Sequence, residues 1–206
     1  MERMFNAISG KQIDSQGKKI GMWFFLYTEM LFFGGMFLLY SVFRSKYPMD
    51  FHFAAMEENI VLGSINTAIL LTSSFFIALS ISAIKRGEKR LSSCLQLATI
   101  VLGFAFLVIK YFEWHAKIIN GIYPDSAVLL QKSKGTILFF GLYYVMTGIH
   151  GLHVLIGIIV ISFMLYWTVK EKVTRANYAR LENTGLYWHF VDIVWIYLFP
   201  LFYLIT

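Results

Sequence analysis

Five long apolar runs constrain this sequence more than any other feature. A helix needs about 20 mostly apolar residues, at about 1.5 Å per residue, to cross a hydrocarbon layer of about 30 Å. Runs of this size extend over residues 20–43, 60–84, 92–112, 136–167 and 186–205. The sequence therefore predicts an all-α integral membrane protein. Its membrane domain, residues 20–206, is a bundle of five transmembrane helices that follows a polar segment, residues 1–19.

Composition supports the same fold class. Hydrophobic residues make up 58% of the chain and charged residues 15%, whereas soluble domains contain roughly 45 to 50% and 25%. The net charge of +6 does not predict a nucleic-acid partner, because the basic residues flank the apolar runs instead of lining one helix face. The first apolar run has full spanning length and lacks a cleavage site, so we expect no cleaved signal peptide.

The basic residues also predict an orientation, because short loops rich in Lys and Arg stay cytoplasmic. The predicted spans divide the 18 basic residues into twelve on the side of the amino terminus and six on the other. The amino terminus is therefore predicted to be cytoplasmic, and Thr206 is predicted to face the periplasm. The six basic residues on the other side are Arg44, Lys46, Lys110, Lys117, Lys132 and Lys134.

Acidic and histidine side chains inside the predicted spans need partners, because an unpaired charge there costs several kcal/mol. Glu29 lies in the first span, and His150 and His153 lie three residues apart in the fourth. His189 and Asp192 lie three residues apart in the fifth, on one helix face. Their similar depth leads to the hypothesis that these groups form one or two buried, hydrogen-bonded clusters inside the bundle.

Three uses of such clusters stay open from spacing alone. The groups could be structural contacts, a proton relay, or ligands of a metal or haem. Glu113 lies next to aromatic residues where the third predicted span ends, and there a solvated interfacial acid is expected. Lys110 lies one turn earlier, and it can extend to the interface or pair with Glu113.

Four motifs resemble one family, subunit III of the haem-copper oxidases, and the resemblance covers nearly the whole chain from residue 21. The first two are TEMLFF at 28–33 and INTAILLTSS at 65–74. The others are TGIHGLHVLIG at 147–157 and YWHFVDIVW at 187–195. A lone pair of histidines would be weak evidence, but all four motifs occur in order and inside predicted spans.

The resemblance implies a noncatalytic subunit without haem, copper or other metal, in the cytoplasmic (inner) membrane of a prokaryote. Members lie beside subunit I, which carries haem and copper, together with subunit II and bound phospholipid. They are thought to stabilise subunit I and to support proton uptake during oxygen reduction. The family's membrane carboxylate maps onto Glu29, and its helix-three acid maps onto Glu113. Its buried polar residues map onto His150, His153, His189 and Asp192.

The resemblance leaves several alternatives open. The long form of the family has seven spans, so this chain resembles the short bacterial form, and the lipid cleft could be incomplete. The context of Glu29 favours cytochrome c as the electron donor, while a quinol oxidase or an accessory subunit of a nitric oxide reductase is the alternative. An independent haem or metal protein using His150, His153 and His189 is an alternative of another class, and a small transporter ranks last.

Overall fold

The fold consists of long helices joined by short connections. The computed structural model describes the backbone of residues 2–175 and 177–204, and the side chains of residues 17, 20–175 and 177–204. Every regular element in these ranges is helical. The elements are α1 (Glu2–Lys46), α2 (Pro48–Met56), α3 (Ile60–Arg86), α4 (Lys89–Ile119), α5 (Ala127–Leu130), α6 (Lys134–Val169), α7 (Ala179–Phe199) and a π-helical turn (Pro200–Leu204).

Within the described residues, five segments are long and apolar enough to cross a membrane, as predicted. They are Ile20–Lys46 within α1, the whole of α3, α4 and α6, and Ala179–Leu204, which joins α7 to the π-helical turn. The helices continue beyond the apolar runs: α4 ends at Ile119, although its predicted span ends at residue 112. Ile205, where the fifth predicted span ends, and Thr206 lie outside the described residues.

Four of the long helices form a closed ring, in which α3 packs on α4, α4 on α6, α6 on α7 and α7 on α3. Helix α1 lies outside this ring against α6 and α7. Only 11% of the residues in the most apolar stretch of α1 are buried, against 56% for the last span. The protein is therefore a four-helix ring with one peripheral helix, and α1 leaves most of its surface to lipid or to a partner.

The connection between α3 and α4 is a two-residue turn that makes these helices antiparallel neighbours. Helix α3 is capped by Gly87, whose φ of 87° is left-handed and suits glycine. The backbone N–H of Glu88 donates to the carbonyl oxygen of Ala83 and closes the last turn. The predicted spans, which end at residue 84 and resume at residue 92, are consistent with this short link.

Two short helices were not predicted, because neither is long enough to form a spanning run. Helix α2 begins with Pro48 in its first turn, where the fixed φ of proline is favourable. Its Phe51 is buried against Tyr40 of α1 and Phe139 of α6, with ring centroids 5.3 and 5.5 Å apart. Helix α2 thereby closes one end of the ring.

Close helix packing at the centre of the ring depends on two glycines that contact Trp188 of α7. A Cβ atom at Gly103 of α4 would lie 2.9 Å from the Trp188 ring, and one at Gly157 of α6 would lie 2.7 Å from it. Both distances are too short for a side chain. The Trp188 indole N–H donates to the hydroxyl of Ser73 on α3 (3.0 Å), so this residue joins all four helices of the ring.

Candidate functional site: buried polar groups of the helix bundle

The predicted polar residues are divided among separate contacts. Glu29 of α1 lies beside His153 of α6, with 3.1 Å between Glu29 Oε2 and His153 Nε2. The other ring nitrogen of His153, Nδ1, lies 2.8 Å from the carbonyl oxygen of Ile149. A carbonyl oxygen only accepts, so Nδ1 carries a proton and donates. The side chains are 22% and 14% exposed, so this pair lies at the edge of the ring.

The donors available to this pair follow from the contact at Nδ1. With Nδ1 protonated, a neutral His153 presents only a lone pair at Nε2, and a carboxylate also only accepts. A hydrogen bond between Nε2 and Oε2 therefore needs one further proton, either on Nε2 facing a carboxylate or on Glu29 donating to Nε2. Glu29 and His153 are thus placed to share one proton.

A second contact joins α3 and α7. The hydroxyl oxygen of Ser74 lies 2.5 Å from Nδ1 of His189, and the same hydroxyl lies beside the carboxyl group of Asp192. Asp192 is buried, and its Oδ1 has no hydrogen-bond partner among the described residues. Ser74 thus connects the two polar groups that the sequence predicted on one face of α7.

His150 is separate from both contacts. Its ring is fully buried between Phe106 and Trp195, with centroids 5.6 and 5.1 Å away. Neither ring nitrogen has a hydrogen-bond partner among the described residues. Within the described part of the chain, no three His, Cys, Asp or Glu side chains are grouped closely enough to share a metal ion.

Glu113 differs most from its prediction. It lies inside α4 and is 5% exposed, so the expectation of a solvated acid at a helix end is wrong. Its Oε1 accepts hydrogen bonds from Tyr143 of α6 (2.5 Å), Tyr203 of the π-helical turn (2.5 Å) and Lys110 (3.2 Å). The pairing of Lys110 with Glu113, one of the two predicted possibilities for this lysine, is the one observed.

A second buried ion pair extends this network towards the connection between α2 and α3. Lys117 Nζ lies 2.8 Å from Oε1 of Glu58, and their side chains are 10% and 0% exposed. The Tyr143 ring lies between the lysines, 5.0 Å from Lys110 Nζ and 5.3 Å from Lys117 Nζ. We call these six residues the charged network: Glu58, Lys110, Glu113, Lys117, Tyr143 and Tyr203.

Most of the charged network was not predicted from the sequence, although α4 carried a signal. Lys110, Glu113 and Lys117 lie at i, i+3 and i+7, which is one face of a helix. Three charges on one face predict a buried or paired stripe only if the helix continues past residue 112. Glu58 and Tyr203 come from other elements, and no spacing along the chain links them to α4.

The opposite end of the ring carries uncharged groups. Ser80 of α3 and Ser92 of α4 share a hydrogen bond between their hydroxyls (3.0 Å). The Gln96 amide donates to Ser92 Oγ and to Thr168 Oγ1 of α6, both at 3.2 Å. We call these four residues the neutral network. It joins three helices of the ring without any ionisable side chain.

Comparison with known proteins identifies the family. The family model of cytochrome c oxidase subunit III matches residues 3–206. The chain belongs to this family. It is a subunit III of the haem-copper oxidases and a multi-pass membrane protein, as the four motifs predicted.

Individual relatives agree with this subunit III assignment. The cytochrome c oxidase subunit 3 of Thermostichus vulcanus is 33% identical over 91% of this chain and 87% of its own length. A probable quinol oxidase subunit 3 of Staphylococcus haemolyticus is 28% identical, over 97% of this chain and 94% of its own length. A heme-copper oxidase subunit I+III of Aeropyrum pernix is 30% identical over 89% of this chain, which spans 22% of that relative.

In this subunit III, the four motifs meet in two pairs. Glu29 of the first motif contacts His153 of the third, and Ser74 of the second contacts His189 of the fourth. The four charged members of the charged network lie outside all four motifs. The motifs therefore mark the contacts that close the bundle around α1 and α7, and the charged network is a separate feature.

Proposed function

We propose that this chain is the noncatalytic subunit III of a proton-pumping cytochrome c oxidase, in the cytoplasmic (inner) membrane of a prokaryote. In this proposal it lies beside subunit I, which carries the haem and copper, with subunit II in the same complex. It stabilises subunit I and supports proton uptake. The amino terminus faces the cytoplasm, and Thr206 faces the periplasm. The observation that carries the proton role is the contact between Glu29 and His153, whose geometry lets the two groups share one proton.

Contact with subunit I is supported by the Aeropyrum pernix relative, whose name gives subunits I and III as one protein. A fused pair stays adjacent in the membrane, and a separate chain of the same family has the same partner available. The apolar surface of α1 suits a neighbouring membrane helix or phospholipid, because Phe24 and Leu38 are 71% and 70% exposed.

The proton role is supported by the position of the Glu29–His153 pair. A buried relay must take up and release protons without leaving an unpaired charge in a medium of low dielectric constant. Here the proton moves between two groups that already face each other, and the partial exposure of both lets a neighbouring chain or water reach them. A pair with these properties supplies a proton to a partner more readily than the fully buried His150.

A quinol oxidase is the second candidate, because the Staphylococcus haemolyticus relative covers nearly the whole chain. The TEMLFF motif around Glu29 favours the cytochrome c branch. The donor is tested by purifying the complex through a tag on this chain and measuring oxygen consumption with reduced cytochrome c and with a quinol. We expect turnover with cytochrome c, and turnover with quinol alone would overturn this part of the proposal.

The same preparation tests the noncatalytic role. The tagged chain should copurify with a larger haem-bearing partner, and the chain separated from that partner should show no visible absorbance. A haem spectrum in the separated chain would instead support an independent haem protein that uses His150, His153 and His189.

The substitution Glu29→Gln tests the proton role. A glutamine amide still donates to Nε2 of His153, so the contact is kept, but the exchangeable proton is lost. We expect the complex to keep its cofactors while oxygen-linked turnover slows several-fold with a larger solvent isotope effect. Glu171→Gln is the matched control, because Glu171 pairs with Lys89 on the surface. Normal turnover of Glu29→Gln during prolonged assay would leave Glu29 with a structural role only.

A further inference from the structure

The charged network contains two buried glutamates in contrasting surroundings. Glu113 Oε1 accepts from an ammonium group and two phenol hydroxyls, all within 3.2 Å. Three donors therefore converge on one carboxylate oxygen. They hold Glu113 from α4, α6 and the π-helical turn at once.

Glu58 lacks such support. Lys117 Nζ is 2.8 Å from its Oε1, but neither Glu58 oxygen receives a hydrogen bond of good geometry from the described residues. Its side chain is fully buried. One cation therefore has to offset the whole desolvation of this carboxylate, while a proton would remove the charge and supply an O–H donor.

The groups around Glu58 are nearly balanced in charge. Lys110 and Lys117 oppose Glu58 and Glu113, so the network is neutral with both acids ionised and carries one positive charge when Glu58 is protonated. The carboxylate of Glu113 repels an ionised Glu58, and Lys110 attracts it. The titratable groups that face or influence Glu58 are Lys110, Glu113 and Lys117 of α4, Tyr143 and Tyr144 of α6, and Tyr203 of the π-helical turn.

We propose that Glu58 is a proton-exchange site beside Lys117, at the carboxyl-terminal end of α4, where its carboxyl group takes up and releases one proton. The proton comes from the aqueous phase and binds a carboxylate oxygen of Glu58, and release reverses this step. Glu58 precedes α3 and lies outside the spans, and Lys117 beside it is 10% exposed, so the path to water is short. The proposal rests on the geometry of this chain and not on the proposed function.

Two further properties fit a reversible exchange. Burial raises the pKa of Glu58 to about 7, while the ammonium group of Lys117 lowers it and the charge of Glu113 raises it. When Glu58 is neutral, Lys117 keeps favourable contacts with two aromatic rings, 5.3 Å from the Tyr143 centroid and 5.4 Å from that of Phe140. The proton can therefore bind without leaving Lys117 unsupported.

Infrared spectroscopy of the purified complex tests this site through the C=O stretch of a protonated carboxylic acid. We expect a carboxylic acid band that grows as the pH falls from about 9 to about 5, with its midpoint near neutrality. The band should disappear in Glu58→Gln. It should remain in the control Glu57→Gln, because Glu57 is the adjacent acid, is 38% exposed and pairs with Lys132.

A second variant keeps the test decisive if Glu58→Gln does not assemble. Lys117→Met removes the cation that contacts Glu58 among the described residues, so the midpoint of the band should rise by about one to three pH units. Copurification of the haem-bearing partner is measured on the same samples, so failure of the proposed function is seen separately. An unchanged band in Glu58→Gln, or a midpoint unmoved in Lys117→Met, would overturn the proposal.

Discussion

Buried polar groups are stabilised in different ways at the two ends of the four-helix ring. The neutral network joins α3, α4 and α6 through hydroxyls and one amide, while the charged network buries two lysines and two glutamates. A neutral hydrogen bond contributes about 1 kcal/mol net, and its loss is tolerated. A buried ion pair contributes little relative to an apolar pair, but removing one partner costs about 3 to 5 kcal/mol. The end with the neutral network therefore tolerates the loss of a hydrogen bond, whereas the end with the charged network requires all four of its charges.

The largest effect is expected at Lys110. Lys110→Met leaves Glu113 buried with two tyrosine donors but without its adjacent cation, which should destabilise the chain by about 3 to 5 kcal/mol. The measurement is the denaturation midpoint of the full chain in detergent, together with its retention in the complex.

The double variant Lys110→Met with Glu113→Gln is the control for this effect. It removes both charges and should recover most of the lost stability, because no buried charge is left unpaired. Equal stability of Lys110→Met and the unmodified chain would mean that the two ends do not differ as described.

A smaller effect concerns pH and again depends on Glu58. Its folded pKa, about 7, exceeds the ordinary 4.5, so between these values the folded chain keeps a proton that the unfolded chain has released. The contribution of Glu58 to stability is therefore highest below about pH 4.5 and declines as the pH rises towards 7, by at most about 1.4 kcal/mol per pH unit. Above about pH 7 the contribution of Glu58 to stability no longer changes with pH.

Denaturation midpoints of the full chain across this pH range measure the slope. Glu58→Gln should flatten it, and Glu57→Gln should leave it unchanged. A slope that survives in Glu58→Gln would assign the pH dependence to another group.

The smallest effect is expected in the neutral network. Gln96→Leu removes two donated hydrogen bonds but places an apolar side chain of similar size among α3, α4 and α6. The expected loss is about 1 kcal/mol, measured as for Lys110→Met, because the remaining hydroxyls can bond to each other or to backbone carbonyls. A loss as large as that of Lys110→Met would remove the distinction between the two ends.

The sequence predicts the long helices well, because an apolar run of spanning length is compatible with few structures other than a transmembrane helix. It predicts their ends poorly, since polar residues such as Glu113 and Lys117 continue α4 past the apolar run. Helix α2 was missed because nine residues form no spanning run.

The candidate site, like the fold, could be predicted only in part from the sequence. The sequence predicted Glu29, His153, His189 and Asp192 as polar groups of similar depth. Which groups pair depends on the rotation and packing of helices, and α1 meets α6 and α7 only through the tertiary fold. The charged network brings together residues up to 145 positions apart, such as Glu58 and Tyr203. Spacing along the chain therefore does not predict it.

The π-helical turn after α7 has a consequence for α1. The Tyr40 hydroxyl of α1 donates to the carbonyl oxygen of Leu201 in this turn, and Glu29 of α1 holds His153 three helical turns away. The peripheral helix is thus fastened at two polar points, with an apolar stretch between them. Loss of the Glu29 contact would leave α1 held by Tyr40 at one end and by the packing of Phe33 on His153 and Phe190 at the other.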